Sequence, residues 1–252
     1  MITRLAGKYL ALLFLFVFLS ACAQKKANNC VDIDENIILV NIQNGDRLQL
    51  AKLINSLAET NVKAIGVNLL LEGTKSNDSV LNNEIQRVSD RLVFASVFSK
   101  GGNTIIESPF RNVKMGLVSY SILKDSLVSS FYYNWPYKEE IYPSFPFQLL
   151  KILYPNLIDS KNFIDTEVFR IDFVGNMNCF YVFTSDQILD IPKDYWENKV
   201  VIIGYMGAEV SIDGFAIDNI DSYKTSLSKG KRVYGSVILA NILASMKRKL
   251  KK

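Results

Sequence analysis

Residues 37–42 are apolar but for a single asparagine, Ile37-Ile38-Leu39-Val40-Asn41-Ile42, the pattern of a strand covered on both faces rather than the alternation of a half-exposed one. Stretches 62–71 and 92–97 supply two more such strands. Between the first two, Asn44-Gly45-Asp46 turns the chain, and Asp46 with Gln49 three residues later fits a helix N-cap and capping box. The helix that follows carries Leu50, Ile54, Leu57 and Ala58 on one face, and Asn77 or Asp78 starts a second helix bearing Leu81, Ile85 and Val88. This order of strand, helix, strand, helix, strand predicts parallel pairing through right-handed crossovers.

The middle of the chain, 101–185, is less regular. Phe169, Ile171 and Phe173 alternate with Arg170, Asp172 and Val174, and after Gly175-Asn176 the run Phe180-Tyr181-Val182-Phe183 returns, which predicts an antiparallel hairpin. Ser144 starts a helix through Phe147, Leu150 and Leu153 that Pro155 ends. Six aromatics, Phe131, Tyr132, Tyr133, Trp135, Tyr137 and Tyr142, fall within twelve positions. They read first as an irregular segment packed over a sheet edge, with a ligand groove or partner surface as the alternative. Val200-Val201-Ile202-Ile203-Gly204 is the last buried strand, and 235–246 forms an apolar helix. No repeat or long linker divides 37–246. The expected fold is therefore a single α/β domain: a mixed, mostly parallel central sheet flanked by helices, with an inserted antiparallel hairpin.

The chain before residue 37 reads as an address. Arg4 and Lys8 precede an apolar run at 10–19 that ends in Ser20-Ala21-Cys22, the layout of a bacterial export signal. At about 1.5 Å per residue that run covers roughly half of the ~30 Å hydrocarbon core, too little to span it. Leu19-Ser20-Ala21-Cys22 looks like a lipobox, so 1–21 is read as a lipoprotein signal peptide, Cys22 as the acylated mature N-terminus and 22–36 as a tether. Two or three acyl chains anchor firmly. Lys25 and Lys26 favour anionic headgroups, and with no acidic residue directly after Cys22 the protein is expected to face the periplasm.

Composition narrows the chemistry. With 49% apolar and 12% aromatic residues among 252, the chain can fill a core, and the absence of histidine removes Ser-His-Asp and Cys-His catalysis, histidine zinc sites and an imidazole base together. Lys and Arg number 29 against 25 Asp and Glu, but two basic residues lie in the leader and five in the tail at 247–252, which leaves a mildly acidic body. That argues against a nucleic-acid partner, whereas the tail suits either anionic lipid or a solvated helix end. Cys30 and Cys179 can pair in an oxidising compartment, but without a spacing motif the default reading is two small buried hydrophobes. Asp213, Asp218 and Asp221 lack the acidic spacing of an EF-hand, so they read as a solvated loop; no metal or other cofactor is implied. Loops at the carboxyl ends of parallel strands are where open α/β sheets bind ligands, which singles out Gly204.

The chain resembles the CHASE2 domain, an extracytoplasmic sensory module of bacterial membrane receptors. The resemblance rests on Ile38-Leu39-Val40-Asn41-Ile42 with Asp46-Arg47, Lys63-Ala64-Ile65-Gly66-Val67-Asn68, Pro143-Ser144-Phe145, Ile171-Asp172-Phe173-Val174-Gly175-Asn176, Lys199 to Gly204, Asp213-Gly214-Phe215 and Tyr234-Gly235-Ser236 through Ala240-Asn241. It covers nearly all of the mature chain. Asn41 and Asn68 stand where the family commonly has aspartates, Ala216-Ile217 where a Thr-Pro pair is typical, and Leu239 where a histidine is usual. The resemblance implies Asn41, Asn68, Gly204 and Asp213 as ligand-binding positions, without the negative charge that aspartates would bring to the first two.

These readings converge on a lipid-anchored sensor or partner-binding module without catalytic activity, which would act through a separate transmembrane signalling protein because a lipid anchor transmits no conformational change. The alternative is a structural or assembly envelope lipoprotein that has lost ligand recognition, as Asn41, Asn68 and Leu239 suggest. A carboxylate hydrolase using Asp213 and Asp218 ranks third.

Overall fold

The computed structural model describes residues 30–31, 34–43, 46–71, 73–99, 102, 104–118, 121–122, 127–160, 168–207, 222–225 and 232–250. Cys22 and the stretch bearing Asp213, Asp218 and Asp221 lie outside them. Strand β1 (Ile37–Asn41), helix α1 (Arg47–Ala58), β2 (Ala64–Asn68), α2 (Asp78–Arg87) and β3 (Leu92–Phe98) follow the predicted order. Next come β4 (Ile105–Ile106), β5 (Lys114–Leu117), β6 (Ser121–Ile122), β7 (Leu127–Tyr132), β8 (Asn134–Tyr137), β9 (Glu140–Pro143), α3 (Phe145–Leu153) and α4 (Pro155–Ser160). The described chain closes with β10 (Val168–Arg170), β11 (Tyr181–Thr184), β12 (Val200–Gly204), β13 (Ser222–Thr225), β14 (Arg232–Tyr234) and α5 (Gly235–Leu250).

The central sheet runs β11-β1-β12-β2-β3, all parallel, with β5 parallel and β4 antiparallel on the far side of β3. Every residue of β1, β2 and β12 is buried. Successive side chains feed opposite layers: Ile37 and Leu39 join the core under α3 and α5, while Ile38 and Val40 join the core under α1 and α2. A second sheet, β10-β7-β13-β14 with β6 beside β7, lies beyond this framework. Two glycines let α3 approach the central sheet. A Cβ on Gly66 would stand 2.6 Å from the tip of the Phe145 ring, and one on Gly116 would strike the Phe145 backbone.

Several local expectations are redirected by tertiary contacts. Asp46 does cap α1, accepting from Leu48 N at 2.8 Å, but Gln49 donates to Ser185 Oγ at 2.6 Å instead of closing the capping box. Residues 168–183 do not form a hairpin: β10 pairs antiparallel with β7, and β11 adds parallel to β1. The intervening backbone is held by α5, since Asn241 Oδ1 accepts from Val174 N and Gly175 N at 2.7 and 3.2 Å and Asn241 Nδ2 donates to Gly175 O at 3.0 Å. Gly175-Asn176 therefore crosses between sheets rather than reversing the chain. Antiparallel pairing of consecutive strands occurs instead at β3–β4, β6–β7, β8–β9 and β13–β14, with Lys138 in a left-handed conformation (φ 55°) at the β8–β9 turn. The aromatic segment is mostly strand, β7, β8 and β9, with Phe131 and, at the bend between β7 and β8, Tyr133 in the core.

Cys30 and Cys179 form a disulfide with their Cα atoms 5.5 Å apart, so they are not two separate buried thiols. Nearby, Val31 N donates to Val174 O at 2.9 Å. Helix α5 continues past Met246 to Leu250, and its last turn is built into the fold. Lys247 pairs with Asp34 at 2.5 Å, Arg248 donates to Asp172 O, and Lys249 lies 4.7 Å from the Phe169 ring centre. The disulfide closes a loop of 149 residues, so its reduction is expected to lower unfolding stability by about 2–5 kcal/mol, read from denaturation midpoints with and without reductant. Gly116→Ala should cost more than Gly66→Ala in the same assay, because a helix backbone yields less readily than a ring edge.

Candidate functional site

Parallel pairing brings three of the sequence-derived positions into one row. Gly204 is register-paired with Asn41 on one side and Asn68 on the other, so the three lie side by side where β1, β12 and β2 end. Both asparagines are buried, each 8% exposed, and a buried amide needs partners. Asn41 uses both ends of its amide on the segment after β12: Nδ2 donates to Gly207 O at 2.8 Å, and Oδ1 accepts from Met206 N at 2.9 Å. Asn68 Nδ2 donates to Ser236 Oγ at 2.9 Å, in the first turn of α5. Gly204 has no side chain because Ser236 Oγ occupies the place a Cβ would take. Tyr234 packs against Gly207 in the same way, and Gly207 itself has φ 93°, which favours glycine.

Ser236 is the member of this cluster that sequence reading did not single out. Its signal was present only as a pair of small residues, Gly235-Ser236, opening an otherwise apolar helix. Asp213, the fourth expected position, lies outside the described residues. Leu239 is a plain core residue, 1% exposed. The row is thus neutral, made of two carboxamides, a hydroxyl and backbone, and contains no group that titrates near neutral pH. Its chemistry is hydrogen bonding.

Beside the row, the turns after β1 and β2 are tied together. Buried Arg47 pairs with Asp78 and donates to Gly73 O at 2.7 Å. The Lys75 backbone N–H and then Arg47 hold the Asp78 carboxyl below its ordinary pKa. A second concave feature opens near the end of β3: a groove of roughly 650 Å³ lined by Glu107, Glu139, Glu140, Tyr137 and Tyr142. There Tyr142 Oη donates to Glu140, which raises the phenol pKa, and Tyr137 Oη donates to Gly102 O at 2.9 Å. Trp135 and Tyr137 both pack against Phe98, with ring centroids 5.8 and 5.0 Å away and the ring planes inclined by 62° and 56°. Among the described residues no group of three His, Cys, Asp or Glu is placed to hold a metal ion, and no helix is long and apolar enough to cross a membrane.

The CHASE2 domain family model matches residues 16–252, nearly the entire chain, and the chain belongs to that family. CHASE2 domains are extracytoplasmic sensory domains. No curated protein and no solved structure matches the chain.

Asn41 serves as donor and acceptor at once, which a carboxylate cannot do. Asn41→Asp should therefore lower stability by about 1–3 kcal/mol at neutral pH, because the charge meets the Gly207 carbonyl. Protonation restores a donor, so the folded-state pKa of the new carboxyl rises and the deficit narrows as pH falls toward about 4. Thermal unfolding of both proteins across that range checks the sign. The Asp78 contribution runs the other way: its depressed pKa means stability present above the unfolded value and lost as pH falls through the folded one. In that acid range Asp78→Asn should flatten the pH dependence of unfolding.

Proposed function

We propose that this CHASE2 domain is a periplasm-facing sensor, acylated at Cys22 and without catalytic activity of its own, that binds a small ligand or a partner protein at the carboxyl edge of its central sheet. The observation that carries the reading is the row Asn41, Gly204 and Asn68, which fastens both flanks of the chain between residues 207 and 235. Asp213 sits in the sequence between those fastenings. A ligand that engages this stretch would compete with, or add to, the hydrogen bonds at its two ends. Differential affinity for the two arrangements is what a sensor requires. The output would pass to a separate transmembrane protein.

A structural or assembly role is the second reading, and one observation favours it: Asn41 and Asn68 already spend hydrogen bonds within the fold. The readings separate in solution. A sensor gives a saturable thermal shift with a periplasmic small molecule, whereas an assembly protein shifts only with a protein partner. Crosslinking in native membranes followed by affinity recovery should return one transmembrane regulator for the sensor; envelope-assembly proteins alone would move the conclusion to the second role. Acylation is checked separately, because Cys22→Ser should abolish incorporation of labelled palmitate. Persistent labelling would remove Cys22 as the anchor.

A further inference from the structure

Parallel strands all begin on one edge of their sheet, and here four of the six, β2, β3, β5 and β12, begin beside a cation. Lys63 precedes β2, Arg91 precedes β3, Lys199 precedes β12, and Lys114 opens β5. Lys63, Arg91 and Lys114 line a groove of roughly 720 Å³ together with Lys151 of α3, against the two carboxylates Asp90 and Glu197. The fixed cations are held by neutral groups. Arg91 donates to the carbonyls of Ala58, Thr60 and Val62 at 2.9, 3.1 and 2.8 Å, and Lys114 Nζ donates to those of Ser89 and Asp90 at 3.2 and 2.5 Å. Carbonyl partners orient a cation without cancelling its charge, so the groove keeps a net positive lining although the body of the chain is acidic.

The same edge receives both ends of the domain. The disulfide fixes Cys30 to the segment before β11, Asp34 lies three residues ahead of β1, and its ion pair with Lys247 brings the last turn of α5 to that place. The eight residues from Cys22 to Cys30 reach at most about 28 Å when extended. Lys251 and Lys252 follow α5 in the sequence.

We propose that the amino-terminal edge of the central sheet is a membrane-docking face whose groove of Lys63, Arg91, Lys114 and Lys151 takes the phosphates of anionic lipid headgroups. The proposal rests on the anchored reading above and gives it an orientation. The short tether and the basic edge face the bilayer, and the row of Asn41, Gly204 and Asn68, one strand length away, faces outward where a periplasmic ligand or partner arrives. Juxtamembrane cations of this kind bind by electrostatics that salt screens.

The test uses two forms of the mature protein, the acylated chain and the chain beginning at Ala23 exported behind an ordinary cleavable signal. Each is sedimented with vesicles of phosphatidylcholine alone or mixed equally with phosphatidylglycerol. The unacylated chain should bind the mixed vesicles on the order of tenfold more than the neutral ones and lose that binding in high salt. Lys63→Glu with Lys151→Glu should remove the preference, Lys63→Arg with Lys151→Arg should keep it, and unchanged thermal unfolding certifies the fold of both pairs. Equal binding to the two vesicle types overturns the proposal. So does a charge-reversed pair that binds like its parent, or loss of all preference on deleting only Lys251 and Lys252. Failure of the acylated chain to hold neutral vesicles would instead refute the anchor and leave the phosphatidylglycerol comparison intact.

Discussion

The structure depends on three adjacent strands, β1, β12 and β2, whose residues are all buried and whose registers match one for one. A parallel ladder buried on both faces leaves no room for polar side chains along its length, since each would need a partner inside an apolar layer. Polar chemistry is therefore driven to the two ends of the strands. The ends differ in kind. At the carboxyl end the row of Asn41, Gly204 and Asn68 is neutral and bonds to backbone and a hydroxyl, whereas at the amino end Arg91 and Lys114 are cations seated on carbonyl oxygens.

At the carboxyl end both asparagines meet partners that suit a carboxamide. Asn41 meets a backbone donor and a backbone acceptor within 3 Å, and a carboxamide satisfies both where a carboxylate cannot. Asn68 meets a serine hydroxyl, which can act in either direction. What reads in the sequence as a missing charged group at residue 41 is, in the fold, a carboxamide that fastens the protein's own backbone. These fastenings join the sheet to the first turn of α5, and the same helix holds residues 174–175 through Asn241 and the N-terminal arm through Lys247. A contiguous set of contacts thus runs from the carboxyl edge of the sheet to the disulfide and the Lys247–Asp34 pair.

At that place two very different bonds act together. The disulfide restricts the unfolded chain, while the ion pair of Lys247 and Asp34, with side chains 7% and 19% exposed, sets the cost of taking both groups out of water against an attraction that only the folded geometry supplies. Their joint effect is to convert a polar N-terminal arm, with no core of its own, into a fixed attachment.

The sequence by itself determined the buried strands, the two helices between the first three of them, the α/β class and the family. Each of these is written in local periodicity or in a contiguous motif. Periodicity reports that a residue is buried but not what buries it, and this is where tertiary structure decided. The runs at 169–174 and 180–183 looked complementary to each other, yet Asn241, some 66 residues away, sends them to different sheets. Gln49 fitted a capping box and was claimed by Ser185, 136 residues on. Cys30 and Cys179 carried no spacing signal because their partnership spans 149 residues. The convergence of Asn41, Gly204 and Asn68 has the same origin: the sequence placed each at a strand end, and only the register of β1, β12 and β2 made them neighbours.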